Sequence, residues 1–187
     1  MTAPFAEMSA EEAAGFMATK EHQPIRRVIA GRCKGKQVID VGCGRGIGIK
    51  DLYDKSLYWG VDCSTHLIHA ARIANPGYVF TVQDFRVPDQ FEPMCGTAIL
   101  KSVLEHQESL ADAMKIYFNA LNILDTVLVA WHTPPIYPET EIITVKASDL
   151  AKPLYQNHYK EGSFDREDVH VDVERVDGFT LWTAQRR

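Results

Sequence analysis

The chain has no cysteine pair in C-x-x-C spacing. Its four thiols, Cys33, Cys43, Cys63 and Cys95, are scattered, which argues against a zinc ribbon or a thioredoxin-like redox pair. Reduced, unpaired thiols are the simpler reading, and no metal is expected. Nowhere is there an uncharged apolar run of the ~18 residues that a membrane span requires, so no membrane partner is expected. The opening Met1-Thr2-Ala3-Pro4-Phe5 lacks the basic and then apolar order of a secretory signal, and the cytoplasm is the expected compartment. Repeats and low-complexity tracts are missing as well. So is an excess of positive charge: 20 basic residues stand against 25 acidic, a net charge of −5. That balance disfavours a nucleic-acid partner, although a local basic patch could still serve one.

What is present suits one soluble domain. At 187 residues, 45% hydrophobic and 24% charged, the chain can bury a core without covalent staples, and a second core would be cramped. Residues 1–187 therefore read as a single domain, with a helical N-terminal segment over 1–30 and a less regular, proline-bearing stretch over 133–165. Long irregular stretches in a compact domain are commonly functional loops.

Apolar, β-branched runs recur with regular punctuation. Val38-Ile39-Asp40-Val41 leads into glycines, Leu57-Tyr58-Trp59-Gly60-Val61 ends at Asp62, and Tyr78-Val79-Phe80-Thr81-Val82 ends at Gln83-Asp84. Asp40, Asp62 and Asp84 stand 22 residues apart in each step, which leaves room for a crossover helix between successive parallel strands. Ser64 predicts an N-cap before Leu67, Ile68, Ala71 and Ile73, with Asn75-Pro76-Gly77 as the stop. Leu110, Ala113, Met114, Tyr117, Phe118, Leu121 and Leu124 form an apolar stripe at helical spacing. Gly96–Leu100 and Val127–Trp131 bracket that helix as further strands. Strand and helix alternating over 36–131 read as an α/β fold with a mostly parallel sheet. Near the C-terminus Val169, Val171 and Val173 alternate with polar residues, and Asp177-Gly178 precedes Phe179–Thr183. Asp-Gly between two strand-like runs predicts a hairpin, so the last two strands should be antiparallel neighbours.

Asp40-Val41-Gly42-Cys43-Gly44-Arg45-Gly46 carries the most information. Glycines at 42, 44 and 46 permit a tight strand-to-helix turn and close approach of a ligand to the backbone. The dinucleotide pattern G-x-G-x-x-G fails in both registers, because Ile47 and Ile49 occupy the third glycine position; a nicotinamide dehydrogenase is thereby disfavoured. The G-x-G-x-G pattern, with an acid two residues ahead of it, resembles the first motif of class I S-adenosylmethionine (SAM) dependent methyltransferases. The resemblance runs from about Lys36 to Gln185. It implies a seven-stranded, mostly parallel sheet with helices on both faces and an antiparallel C-terminal hairpin strand.

The resemblance also implies roles. SAM would be the cofactor and S-adenosylhomocysteine (SAH) the product. Gly42, Cys43, Gly44 and Gly46 would wrap the methionine and ribose, Asp62 would accept both ribose hydroxyls, and Cys63 would lie beside it. Asp84 would meet the adenine amino group, with Phe85 or its backbone near the ring. Asp40 would organise the loop or reach the methionine amino group. Lys101-Ser102-Val103-Leu104-Glu105-His106 is similar to the "xxLEH" signature of small-molecule methyltransferases, which puts Lys101 near the methionine and makes His106 a candidate base. His132, after the fifth strand, would line the acceptor pocket. The basic residues between Lys20 and Lys36 read either as a solvated face or as an anion-holding rim. The expected activity is methyl transfer to oxygen or nitrogen of a small molecule. An RNA or protein acceptor, and a non-catalytic SAM-binding protein, stay open, and the oligomeric state is not readable.

Overall fold

A computed structural model describes residues 22–47, 49–87, 91, 94–132, 169–176 and 179–186. Helix α1 spans Gln23–Arg32, and strand β1 follows at Val38–Val41. Strand β2 (Tyr58–Asp62), helix α2 (Thr65–Ala74) and strand β3 (Val79–Val82) come next. Strand β4 (Met94–Lys101) leads through a 3-10 turn at Leu104–His106 to helix α3 (Leu110–Ile123). Strand β5 (Leu124–His132) and strands β6 (Val169–Val176) and β7 (Phe179–Arg186) complete the set.

These strands form one seven-stranded sheet in the order β3-β2-β1-β4-β5-β7-β6. The pairs from β3 across to β5 are parallel. β7 runs antiparallel to both β5 and β6, as the Asp177-Gly178 signal implied. Val176 pairs with Phe179; the two turn residues lie outside the described residues, as does the 133–165 stretch. The order reverses at β1 and β4, and in open α/β sheets ligands bind beyond the carboxyl ends of strands at such a point.

Strand alternation divides the core into two layers. Ile39, Val41, Leu100, Val129 and Trp182 face α3, whereas Val38, Phe80, Ile99, Leu128 and Leu181 face α1 and α2. Helices therefore cover both sheet faces. The predicted cap forms, with Ser64 Oγ accepting from Leu67 N–H at 3.3 Å, and Ser109 Oγ caps α3 by accepting from Asp112 N–H at 3.1 Å. Across the α3–β7 contact, the Trp182 indole donates to the Tyr117 hydroxyl at 3.3 Å.

Three expectations need correction. The segment from 49 to 57 is a chain of turns rather than a crossover helix, closed by Tyr53 N–H to Ile49 carbonyl at 2.9 Å and Leu57 N–H to Asp54 carbonyl at 3.0 Å. Asp54 accepts from the Ser56 amide and hydroxyl at 2.8 and 2.7 Å, a local alternative that competes with helix continuation. Ile73 is 70% exposed, because it points away from the face that buries Ile68 and Ala71. Leu124 opens β5 rather than closing the stripe of α3.

Candidate functional site

The glycine loop joins the end of β1 to the turns that follow. Gly42, Gly44 and Gly46 all adopt positive φ, at 69°, 55° and 62°, a region that strains any side-chain-bearing residue. A Cβ at Gly42 would come within 2.6 Å of Val103, and one at Gly46 within 2.9 Å of Asn75 and 3.0 Å of the Phe80 ring. A Cβ at Gly44 would meet nothing within 4 Å. The outer glycines are thus packed into the protein, while the middle one fronts open space that a ligand can fill.

Asp62 ends β2 beside this loop. Its Oδ2 accepts from Gly44 N–H at 3.0 Å and its Oδ1 from Ser64 N–H at 2.8 Å. Burial pushes the carboxyl above its ordinary value, while the Ser64 and Gly44 amides oppose that rise. One carboxylate is therefore fixed against the glycine loop by two backbone donors, with lone pairs left for two further hydroxyl donors.

Asp84 is differently placed. Arg86 grips it in a fork: Nε lies 3.0 Å from Oδ1 and Nη2 2.7 Å from Oδ2, and the Arg86 amide donates to Oδ1 at 2.9 Å. That arginine holds Asp84 below the ordinary carboxylate range. Phe85 turns away from the strand ends. Its ring is buried against Phe91 at 5.2 Å, and its carbonyl accepts from Asn119 Nδ2 at 2.8 Å. Cys43 tucks its sulfur beneath the loop towards Gly60, where a Cβ would come within 2.9 Å of it. Cys63 is exposed next to Asp62.

Asp40 lies one strand position below the loop. Tyr58 Oη donates to its Oδ2 at 2.6 Å. Burial pushes its carboxyl up to about 6, against the Tyr58 hydrogen bond and the nearby Arg26 and Lys101 cations. Lys101 ends β4 with its ammonium enclosed: Nζ donates to His22 Nδ1 at 3.0 Å and to Ser102 Oγ at 3.4 Å, and sits 5.6 Å over the Phe179 ring. Ser102 carries φ of 53°, a strained conformation for a side-chain-bearing residue and a common mark of a functional turn. Its amide donates to the Ala130 carbonyl of β5 at 2.8 Å.

His106 closes the 3-10 turn after β4. Burial, aided by the Lys101 charge, pulls its imidazole down to about 4. The ring is neutral at pH 7 and able to accept a proton, though as a weak base. His132 pairs with Phe179 at the end of β5. Among the described residues no cluster of three or more His, Cys, Asp or Glu side chains could hold a metal ion, and no helix is long and apolar enough to cross a membrane.

Sequence reasoning missed Arg26, Tyr58 and Asn75. Arg26, one cation within a basic stretch, is buried and donates to the Ile47 carbonyl at 2.7 Å. Asn75, read only as a helix stop, is buried and donates to the Arg45 carbonyl at 3.2 Å. Among the described residues of the basic stretch, Arg26 is buried, whereas Arg27, Lys34 and Lys36 are exposed.

No family model matches this chain, and no curated protein matches it. Solved structures do. Magnesium protoporphyrin IX methyltransferase from Synechocystis with bound SAM is similar over 95% of this chain and 78% of its own, at 17% identity and a TM-score of 0.59. The CurJ carbon methyltransferase matches 95% of this chain and 58% of its own, at 12% identity and a TM-score of 0.68. An rRNA methylase from Escherichia coli matches 87% and 62%, at 17% identity and a TM-score of 0.52. The fold is the Rossmann-like fold of these methyltransferases, with its mostly parallel sheet and antiparallel C-terminal pair.

Proposed function

We propose that this chain is a SAM-dependent methyltransferase that methylates oxygen or nitrogen of a small-molecule acceptor. The observation that carries the reading is the junction of Gly44 and Asp62. A glycine loop open at its middle residue and a carboxylate pinned by that residue's own amide meet at the carboxyl ends of neighbouring parallel strands. That is the setting an adenosyl ribose requires: one acid to accept from two hydroxyls, and a backbone with no side chain in the way. Similar folds crystallised with SAM and with SAH support the choice of ligand.

When bound, the sulfonium supplies an activated methyl group, so the chain has to align an acceptor and take its proton. The Gly42–Gly46 loop and Asp62 would hold the nucleoside and methionine portions. Asp84 would reach the adenine amino group only by sharing its carboxylate with Arg86. His106, neutral at working pH, would receive the acceptor's proton as the new bond to carbon forms and the bond to sulfur breaks. His132, at the end of β5, would border the acceptor. Alignment of this kind supplies several kcal/mol, about 7 or more in well-oriented cases.

The acceptor class rests on charge. The chain is net acidic, and the stretch from Glu161 to Asp177 holds seven acids against two arginines, a poor match for a polyanion. Incubation with methyl-labelled SAM and panels of phenols, amines, carboxylic acids and RNA tests the reading. Label in a small phenol, amine or acid is the expected result. Label confined to RNA would move the acceptor to the macromolecular class, and SAH bound without any product would leave a cofactor-binding protein.

A further inference from the structure

The glycine loop is held from two sides by side chains with no place in the proposed chemistry. On one side Asn75, the buried residue that ends α2, donates Nδ2 to the Arg45 carbonyl at 3.2 Å and to the Ala71 carbonyl of its own helix at 3.1 Å. On the other, Arg26 of α1 donates Nη1 to the Ile47 carbonyl at 2.7 Å. Burial lowers its pKa, and the Asp40 charge opposes that fall. The two gripped carbonyls flank Gly46, whose positive φ and tight packing leave it little freedom. Within the loop, Gly46 N–H donates to the Cys43 carbonyl at 3.0 Å.

Buried polar side chains of this kind cost desolvation unless satisfied. Both are satisfied by carbonyls two residues apart, at Arg45 and Ile47, from helices that are separate in sequence. Pre-setting the loop removes an ordering cost that a ligand would otherwise meet on binding.

We infer that Arg26 and Asn75 are positioning residues that clamp the glycine loop in its ligand-holding form through their own hydrogen bonds to its carbonyls. The inference rests on the cofactor reading above and extends it to a helix in a segment whose sequence reads either as a solvated face or as an anion-holding rim. Arg32 supplies the control. It ties the same helix to the sheet by donating to Thr183 Oγ1 on β7, far from the loop in the chain.

The test compares Arg26→Gln, Asn75→Ala and Arg32→Gln with the parent chain by calorimetric titration of SAH and by hydrogen exchange without ligand. Expected are a loss of SAH affinity of about tenfold for Arg26→Gln and several-fold for Asn75→Ala, and parent-like affinity for Arg32→Gln. The Gly46 amide should exchange faster in the first two variants alone. Arg26→Lys, which keeps the charge opposite Asp40, should recover part of the affinity, and it replaces Arg26→Gln if that variant does not fold. Parent-like binding and exchange in folded Arg26 and Asn75 variants would overturn the inference. So would equal losses in Arg26→Gln and Arg32→Gln, which would make helix packing the cause. A parent chain that binds no SAH would fell the cofactor reading and the clamp together, whereas the other two outcomes fell the clamp alone.

Discussion

The ends of β2 and β3 offer the same residue in the same sequence position, an aspartate 22 residues from its predecessor, yet the two are built differently. Asp62 is partly buried and held by two backbone amides, one of them from the glycine loop. Asp84 is 37% exposed in its side chain and neutralised by Arg86 two residues away. An acid fixed by main-chain donors keeps its direction without losing its charge to a neighbour. An acid gripped in a fork by a neighbouring arginine already has its lone pairs partly engaged. Equal spacing in sequence thus marks two strand ends, but only the surroundings decide which end holds a ligand strongly.

The sharpest way to break this comparison is to remove the two acids separately. Asp62→Ala should weaken SAH binding by about 100-fold or more, since two hydrogen bonds to a charged acceptor are worth ~1.5–3 kcal/mol each. Titration calorimetry reads the loss directly, and near-parent affinity would put the two acids on an equal footing.

The loop facing Asp62 gives the next effect in size. Gly46→Ala should lower stability by about 1–3 kcal/mol in urea denaturation, through its positive φ and its closeness to Asn75 and Phe80. Gly44→Ala carries the φ cost without a clash, so it should cut SAH affinity about tenfold while leaving a smaller change in the urea midpoint. The reverse pattern would mean that the open face of Gly44 is not the ligand face.

Two buried titrating groups near the loop should pull in opposite directions with pH. Folded Asp40 keeps its proton up to about 6, against an ordinary 3.8. The folded chain therefore binds more protons in that window, and the Asp40 contribution is present at low pH and lost as pH rises through 6. Folded His106 gains its proton only near 4, against an ordinary 6.5. Its contribution is present above 6.5 and lost as pH falls towards 4. Relative to the parent, Asp40→Asn should make stability fall more steeply on acidification from pH 6.5 to 4.5, and His106→Gln should make it fall less. Urea midpoints at the two pH values decide, and unchanged slopes would mean that neither group is held as described.

The smallest effect is expected at β3. Asp84→Asn should alter SAH affinity by no more than about threefold, because the parent carboxylate already has a partner in Arg86. A loss comparable to that of Asp62→Ala, measured in the same titration, would show that the salt bridge opens to serve the ligand.

Much of this frame was legible before any coordinates. The strands, the cap at Ser64 and the reversed β7 all follow from local patterns: β-branched runs, a hydroxyl before an apolar stripe, and Asp-Gly between two strands. Those signals act over a few residues, where propensity and hydrogen bonding decide. The glycine loop and Asp62 were legible for the same reason, since positive φ and strand-end acids leave a compositional trace. The turns over 49–57 were not, because the side-chain hydrogen bonds of Asp54 outweighed a spacing that allowed a helix. Nor was the inward turn of Phe85, which depends on Phe91 and on Asn119 of α3. Arg26 and Asn75 were hidden because their partners are backbone carbonyls 21 and 30 residues away, and a carbonyl has no signature in sequence. The 133–165 stretch, expected to carry a functional loop, had only its prolines to read and lies outside the described residues.

The central claim is that a nucleoside-bearing ligand sits where the glycine loop meets the end of β2. Residue-resolved hydrogen exchange of the whole chain, with and without saturating SAH, tests it most directly. The account predicts slowed exchange centred on the amides of Gly44, Gly46 and Ser64, with β6 and the outer turns of α3 unchanged. Exchange left unaltered at Gly44 and Ser64, with protection elsewhere or none at all, would contradict it.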